Sequence, residues 1–147
     1  MRAIMIDPRI QRVTDIELAD KNTTAMLADM RRIIGAETLS SSMISDEHDQ
    51  LWCDDTILSR GQPCFGFRLG PTKERSVILA GICLITGNDR GGNARAPYIP
   101  IEMVINDCDW LGEIVPQVDW IQHNEQINGR PWFKTQAIVT YSRVKRQ

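Results

Sequence analysis

Met26, Leu27, Met30, Ile33 and Ile34 fall at i, i+1, i+4, i+7 and i+8. That spacing gathers them on one stripe of an α-helix and would scatter them over both faces of a strand. Asn22 or Thr23 can cap such a helix, because a side-chain oxygen there accepts from first-turn amides that have no partner within the helix. Arg31 and Arg32 occupy the last turn, where cations suit the helix dipole, and Gly35 can take the left-handed conformation that stops it. The pattern predicts a helix over about residues 23–34. Its apolar stripe needs a surface to cover, and the rest of the chain reads mainly as extended segments. The expected fold is therefore α+β, a mainly antiparallel sheet packed by this one amphipathic helix.

Residues 3–6 form a short apolar run closed by Asp7-Pro8, and Thr14, Ile16 and Leu18 alternate after it, so a β-hairpin turning near Pro8-Arg9 is expected. Residues 38–44 and 50–53 suggest a second hairpin around a polar tip, and residues 64–69 suggest another strand. Residues 76–86 are the most hydrophobic run and read as one central strand, with a bend at Gly81. Residues 101–111 fit a short helix after Pro100 or a strand through Val104-Ile105. From Trp132 to Tyr141 the chain alternates, with Phe133, Thr135, Ala137, Val139 and Tyr141 on one face, and a C-terminal edge strand is expected.

At 147 residues the chain can bury one core without staples. One domain over 1–147 is expected, with a core over 1–111, an extension over 112–147, and a hinge from Pro116 to Gly129. No apolar stretch approaches the roughly 18–20 residues that span a bilayer, and the first residues lack a signal-peptide pattern. The expected localisation is cytoplasmic, away from membranes. Cys53, Cys64, Cys83 and Cys108 form no closely spaced ligand pair, so no structural metal is expected and free thiols are the default. Cys83 reads as a small buried hydrophobe.

A net charge of −2 conceals a segregated pattern. Residues 45–55 hold Asp46, Glu47, Asp49, Asp54 and Asp55 without a Lys or Arg. Residues 98–129 carry only acidic charges, and from Arg130 onward every charge is basic. Such blocks either make one-signed faces that steer a partner or interleave on folding into a mixed surface. The basic tail with Trp132, Phe133 and Tyr141 is the sole argument for nucleic acid, and the short segment and acidic whole weigh against it.

No catalytic constellation and no cofactor motif stands out. Asp46-Glu47-His48-Asp49 are consecutive on a turn and cannot all address one metal. Asn88, Asp89, Arg90, Gly91, Gly92 and Arg95 form a glycine loop after an apolar strand, the setting of phosphate loops, but without their motif; bare amides and the two arginines can still hold an anion. Only two histidines exist, with no nucleophile elbow. Trp110 and Trp120 stand beside Asp109 and Asp119, with Glu113 between, and an aromatic with apolar neighbours and an acidic rim resembles a protein-binding hot spot.

Residues 4–8 with Val13-Thr14, residues 34–38, the run Leu51-Trp52-Cys53-Asp54-Asp55 and the run from Leu79 to Asp89 together resemble a small uncharacterised domain family of bacteriophages, plasmids and integrated elements. The resemblance covers roughly residues 1–111 and carries over no functional residue. It implies a setting in which small proteins bind host machinery, defence systems included. The expectation is a non-enzymatic accessory protein that binds a host protein or complex and inhibits defence. The alternative is a small-ligand or nucleotide-binding protein, or a small enzyme, using Asp54-Asp55 and the Gly91-Gly92 loop. A homodimer through the C-terminal edge strand is a further expectation.

Overall fold

A computed structural model describes residues 1–44 and 48–145. The hairpin of β1 (Arg2–Asp7) and β2 (Arg12–Glu17) opens the chain as expected. Helix α1 (Thr23–Ile34) follows, with Asn22 Oδ1 accepting from Ala25 N at 2.8 Å and Gly35 closing it at φ 77°. β3 (Leu39–Met43) and β4 (Asp49–Asp54) make the second hairpin.

Beyond these the chain departs from one sheet under one helix. After β5 (Cys64–Leu69), the apolar run 76–86 is divided into β6 (Val77–Ala80) and β7 (Cys83–Asn88). The break is Gly81, whose φ of 71° lies in the left-handed region that side chains resist. There the chain leaves one sheet and enters another. The first sheet runs β2-β1-β7-β4-β3, with β8 (Ala94–Arg95) pairing the end of β7; the second runs β10-β9-β5-β6, all neighbours antiparallel. Its long members are β9 (Cys108–Ile127) and β10 (Arg130–Arg143). Between β8 and β9 lies a second helix, α2 (Ile101–Asp107), so the ambiguous stretch 101–111 is helix first and strand afterwards.

Period-two alternation divides the core. Ile4, Ile6, Leu51, Cys83 and Ile85 leave the first sheet on one side and meet Phe67 and Leu79 of the second, with Val104 of α2 closing the cluster. Ala3 and Leu84 leave on the other side and pack beneath Met26 and Met30 of α1. Each fully buried side chain of this size contributes about 1.5–3 kcal/mol. The order is thus helix, sheet, sheet. Among the described residues no helix is long and apolar enough to cross a membrane.

Two buried carboxylates fix connections. Asp49, wholly buried, accepts from Tyr98 N at 2.8 Å and Ile99 N at 2.7 Å, holding the link between β8 and α2. Asp54 accepts from Thr56 N at 3.0 Å and from Arg60 at 3.1 Å, closing the turn after β4.

Candidate functional site: the β9–β10 arm

β9 pairs with β5 only as far as Ile114, whereas β10 accompanies it from Ile114 to Ile127. Past that point the two strands continue as a ribbon, with no third strand beside them among the described residues. The eleven residues from 117 to 127 span about 36 Å at strand rise. Asn128 and Gly129 join the strands at φ 53° and 75°, the two-residue turn whose twist matches a hairpin. The expected hinge over 116–129 is therefore a strand and its turn. Pro116 is tolerated because β9 has by then lost β5 as a neighbour, leaving that edge without a ladder to serve.

The two faces of the arm differ in chemistry. Directly opposed residues share a face, and the register pairs Pro116 with Tyr141, Val118 with Val139, Trp120 with Ala137 and Gln122 with Thr135. Among the described side chains of this face, including Asn124, Gln126 and Pro131, none is charged. Asp119, Glu125 and Arg130 project to the other face, together with Ile121, Ile127 and Ile138. The acidic and basic blocks thus lie on neighbouring strands and mix, the second of the two outcomes the sequence left open. Trp120 is 69% exposed. Its face extends the side on which Ile114 is buried over Gly66, where a Cβ would overlap the isoleucine.

The remaining residues singled out in the sequence are distributed as follows. Trp110 is half-buried and packs edge-on against Phe67, with centroids 6.1 Å apart at 61°. Asp109 is exposed opposite Arg68, and Glu113 is half-buried opposite Phe65. Asp109 and Asp119 point away from their neighbouring tryptophans, because consecutive strand residues alternate. The acidic rim read around Trp120 is consequently an uncharged one. At the arm's root, Asp109, Tyr141 and Arg143 join Arg68, Lys73 and Asp107 around a polar cleft of about 300 Å³. An apolar cleft of about 460 Å³ separates β3 from β6, lined by Met43, Ile44, Leu69, Val77 and Ile99.

In the glycine loop, Asp89 Oδ1 accepts from Gly91 N and Asn93 N, both at 2.9 Å, and Asp89 O accepts from Gly92 N at 3.1 Å. The amide of Asn93 is the main cause holding the Asp89 carboxyl below its ordinary value. The amides that could receive an anion already face the loop's own carboxylate. Arg95 lies over the Tyr98 ring at 3.3 Å and donates to Ala96 O, while Arg90 is exposed. Asp54-Asp55 and this loop are not gathered together: β4 meets the loop's strand β7 at Asp49, and Asp54 lies five residues further on, about 16 Å along the strand. His48 is exposed and Asp55 is exposed, and Asp46 and Glu47 lie outside the described residues. Among the described residues no cluster of three or more His, Cys, Asp or Glu is arranged to hold a metal.

The expected C-terminal edge strand is β10, at the edge of the second sheet, but sequence reading missed β9 and with it the arm. Asn128-Gly129 between the apolar Ile127 and the alternating residues of β10 was the available signal, because this dipeptide favours the positive φ pair of a tight hairpin. Compared with protein-family models, curated proteins and solved structures, the chain has no significant match.

Proposed function

We propose that the chain is a non-enzymatic binding protein of a mobile genetic element, acting in the bacterial cytoplasm, and that its β9–β10 arm docks on a host protein or complex of a defence system. The observation that carries this reading is the uncharged arm face with Trp120 exposed at its centre. A two-stranded ribbon has little to stabilise it in water unless something covers it. Tryptophan supplies large contact area at small entropic cost and dominates many protein interfaces. The mixed-charge opposite face keeps the arm soluble before it meets a partner. The defence setting comes from the sequence resemblance alone.

The test is expression in a bacterium carrying an active defence system, followed by phage challenge. Restored plating by the parent chain, lost in Trp120→Asp with the fold retained, is the expected outcome. Equal plating by both would remove the arm from the function. A second copy on the open outer edge of β10 is the competing occupant, and sedimentation would reveal it as a concentration-dependent dimer.

A further inference from the structure

The four cysteines are remote in sequence, yet the fold brings two of their thiols together in the first sheet. The pairing of β4 with β7 ends at Trp52 opposite Leu84, and Cys53 and Cys83 are the next residues along the two strands, both packed into the cluster between the sheets. On the other side of Cys53, the register with β3 sets Ser40 opposite it. The Ser40 hydroxyl is 3.2 Å from Cys53 Sγ, and the Cys83 thiol also faces the backbone oxygens of Ala80 at 4.0 Å and Gly81 at 3.7 Å. Directly opposed residues of an antiparallel pair have Cα atoms about 4.5–5.5 Å apart. That range lies within the about 4.4–6.8 Å that a disulfide bridges.

We propose that Cys53 is a peroxide-reactive thiol and that Cys83 is its resolving partner, so that oxidation joins β4 to β7 through a Cys53–Cys83 disulfide. Access separates the two roles. Cys53 is half-buried at the margin of the core cluster, whereas Cys83 is wholly buried within it. Ionisation separates them in the same sense. The Cys83 hydrogen bond, aided by Ser40, brings the Cys53 thiol down to about 6 against its burial and the nearby charges of Asp54 and Asp55. The same hydrogen bond and complete burial raise Cys83 well above its ordinary value. Burial, with Asp109 beside it, pushes Cys108 up to about 12, and burial also raises Cys64. Of the four cysteines, Cys53 is the one whose surroundings favour the thiolate, the form that acts as nucleophile.

The chemistry closes with hydrogen peroxide as oxidant. The Cys53 thiolate attacks one peroxide oxygen; the O–O bond breaks, the departing hydroxide takes a proton to become water, and Cys53 is left as a sulfenic acid. The Cys83 sulfur, giving up its proton, attacks the Cys53 sulfur; the S–S bond forms, the S–O bond breaks, and a second water leaves. Two thiols and one peroxide become one disulfide and two waters. The bridge would tie two central strands, independently of the arm.

The experiment treats the full reduced chain with one equivalent of hydrogen peroxide at neutral pH, then maps thiols and linked peptides under non-reducing conditions. The expected result is a single linked pair, Cys53 with Cys83, with Cys64 and Cys108 still free. Before oxidation, Cys53 should react with a small alkylating agent about tenfold or more faster than Cys64 or Cys108, the lowered nucleophilicity of an acidic thiolate being smaller than its gain in abundance. Cys108→Ser should leave the bridge intact. Cys83→Ser should leave a Cys53 sulfenic acid that a carbon nucleophile traps. Four unreacted thiols, or a bridge through Cys64, Cys108 or a second molecule, would overturn the proposal, and the parent chain alone suffices for that reading.

Discussion

Trp120 stands directly across the arm from Ala137, and the small side chain opposite leaves the indole largely in water. An exposed aromatic contributes little to folding, so Trp120→Ala should shift unfolding by no more than about 0.5 kcal/mol. At an interface it should cost about 2 kcal/mol or more, roughly 30-fold in affinity. Chemical denaturation beside a titration of the captured partner separates the two quantities.

Gly129 sets the arm's turn at φ 75°. Gly129→Val places a β-branched residue in the left-handed region, where only small or Asn-like residues sit easily. The residues of the arm should lose their hydrogen-exchange protection, while β1, β7 and α1 keep theirs. Equal protection throughout would mean that the arm does not depend on this turn.

Ile114 fills the space above Gly66 that a side chain there would need. Gly66→Ala should destabilise by about 1–3 kcal/mol through overpacking. Adding Ile114→Val to Gly66→Ala should return part of that loss, a coupling that a double-mutant cycle measures. Strict additivity would contradict the contact.

Asp49 carries the connection into α2. Asp49→Ala leaves the amides of Tyr98 and Ile99 without their acceptor in a part-buried site. At about 1–3 kcal/mol for each unsatisfied group, the variant should melt well below the parent. Asp49→Asn keeps one acceptor oxygen and should lose less.

Asp29 Oδ2 accepts from Ala19 N at 2.9 Å, and that bond, ahead of the ion pair with Arg32, lowers the carboxyl below its ordinary 3.8. Because the folded value is depressed, the stabilisation is fully present above the unfolded value and is lost as pH falls through the folded one. Acidification below about pH 4 should therefore loosen the link between β2 and α1, and Asp29→Asn should flatten that pH dependence in denaturant titrations.

Much of the fold was legible in local chemistry. Asn22 and Gly35 bound α1 where the apolar stripe predicted it, and β5 occupies residues 64–69 as read. The hairpins around Pro8-Arg9 and the acidic tip also form. Hydrophobic periodicity could not show that Gly81 hands the chain from one sheet to the other, since both halves of 76–86 are equally apolar and only tertiary partners distinguish them. The β9 half of the arm was hidden for a related reason. Residues 117–127 bury little, so a strand there has no strong alternation to announce it, and Pro116 argues against one until its edge position is known. Trp120 stood out in the sequence and is exposed in the fold, but its surroundings were not legible. Sequence adjacency to Asp119 made an acidic rim, whereas strand geometry sends that carboxylate to the opposite face. The proximity of Cys53 and Cys83 depends on the pairing of β4 with β7, which no local signal specifies.

The most direct test of the arm as a docking element is affinity purification from a bacterial host at moderate salt, with the parent chain and Trp120→Asp compared side by side by mass spectrometry. The expected result is a stoichiometric host protein retained by the parent and lost from the variant, with both chains equally folded. A host protein retained equally by both, or no protein retained by the parent, would contradict it.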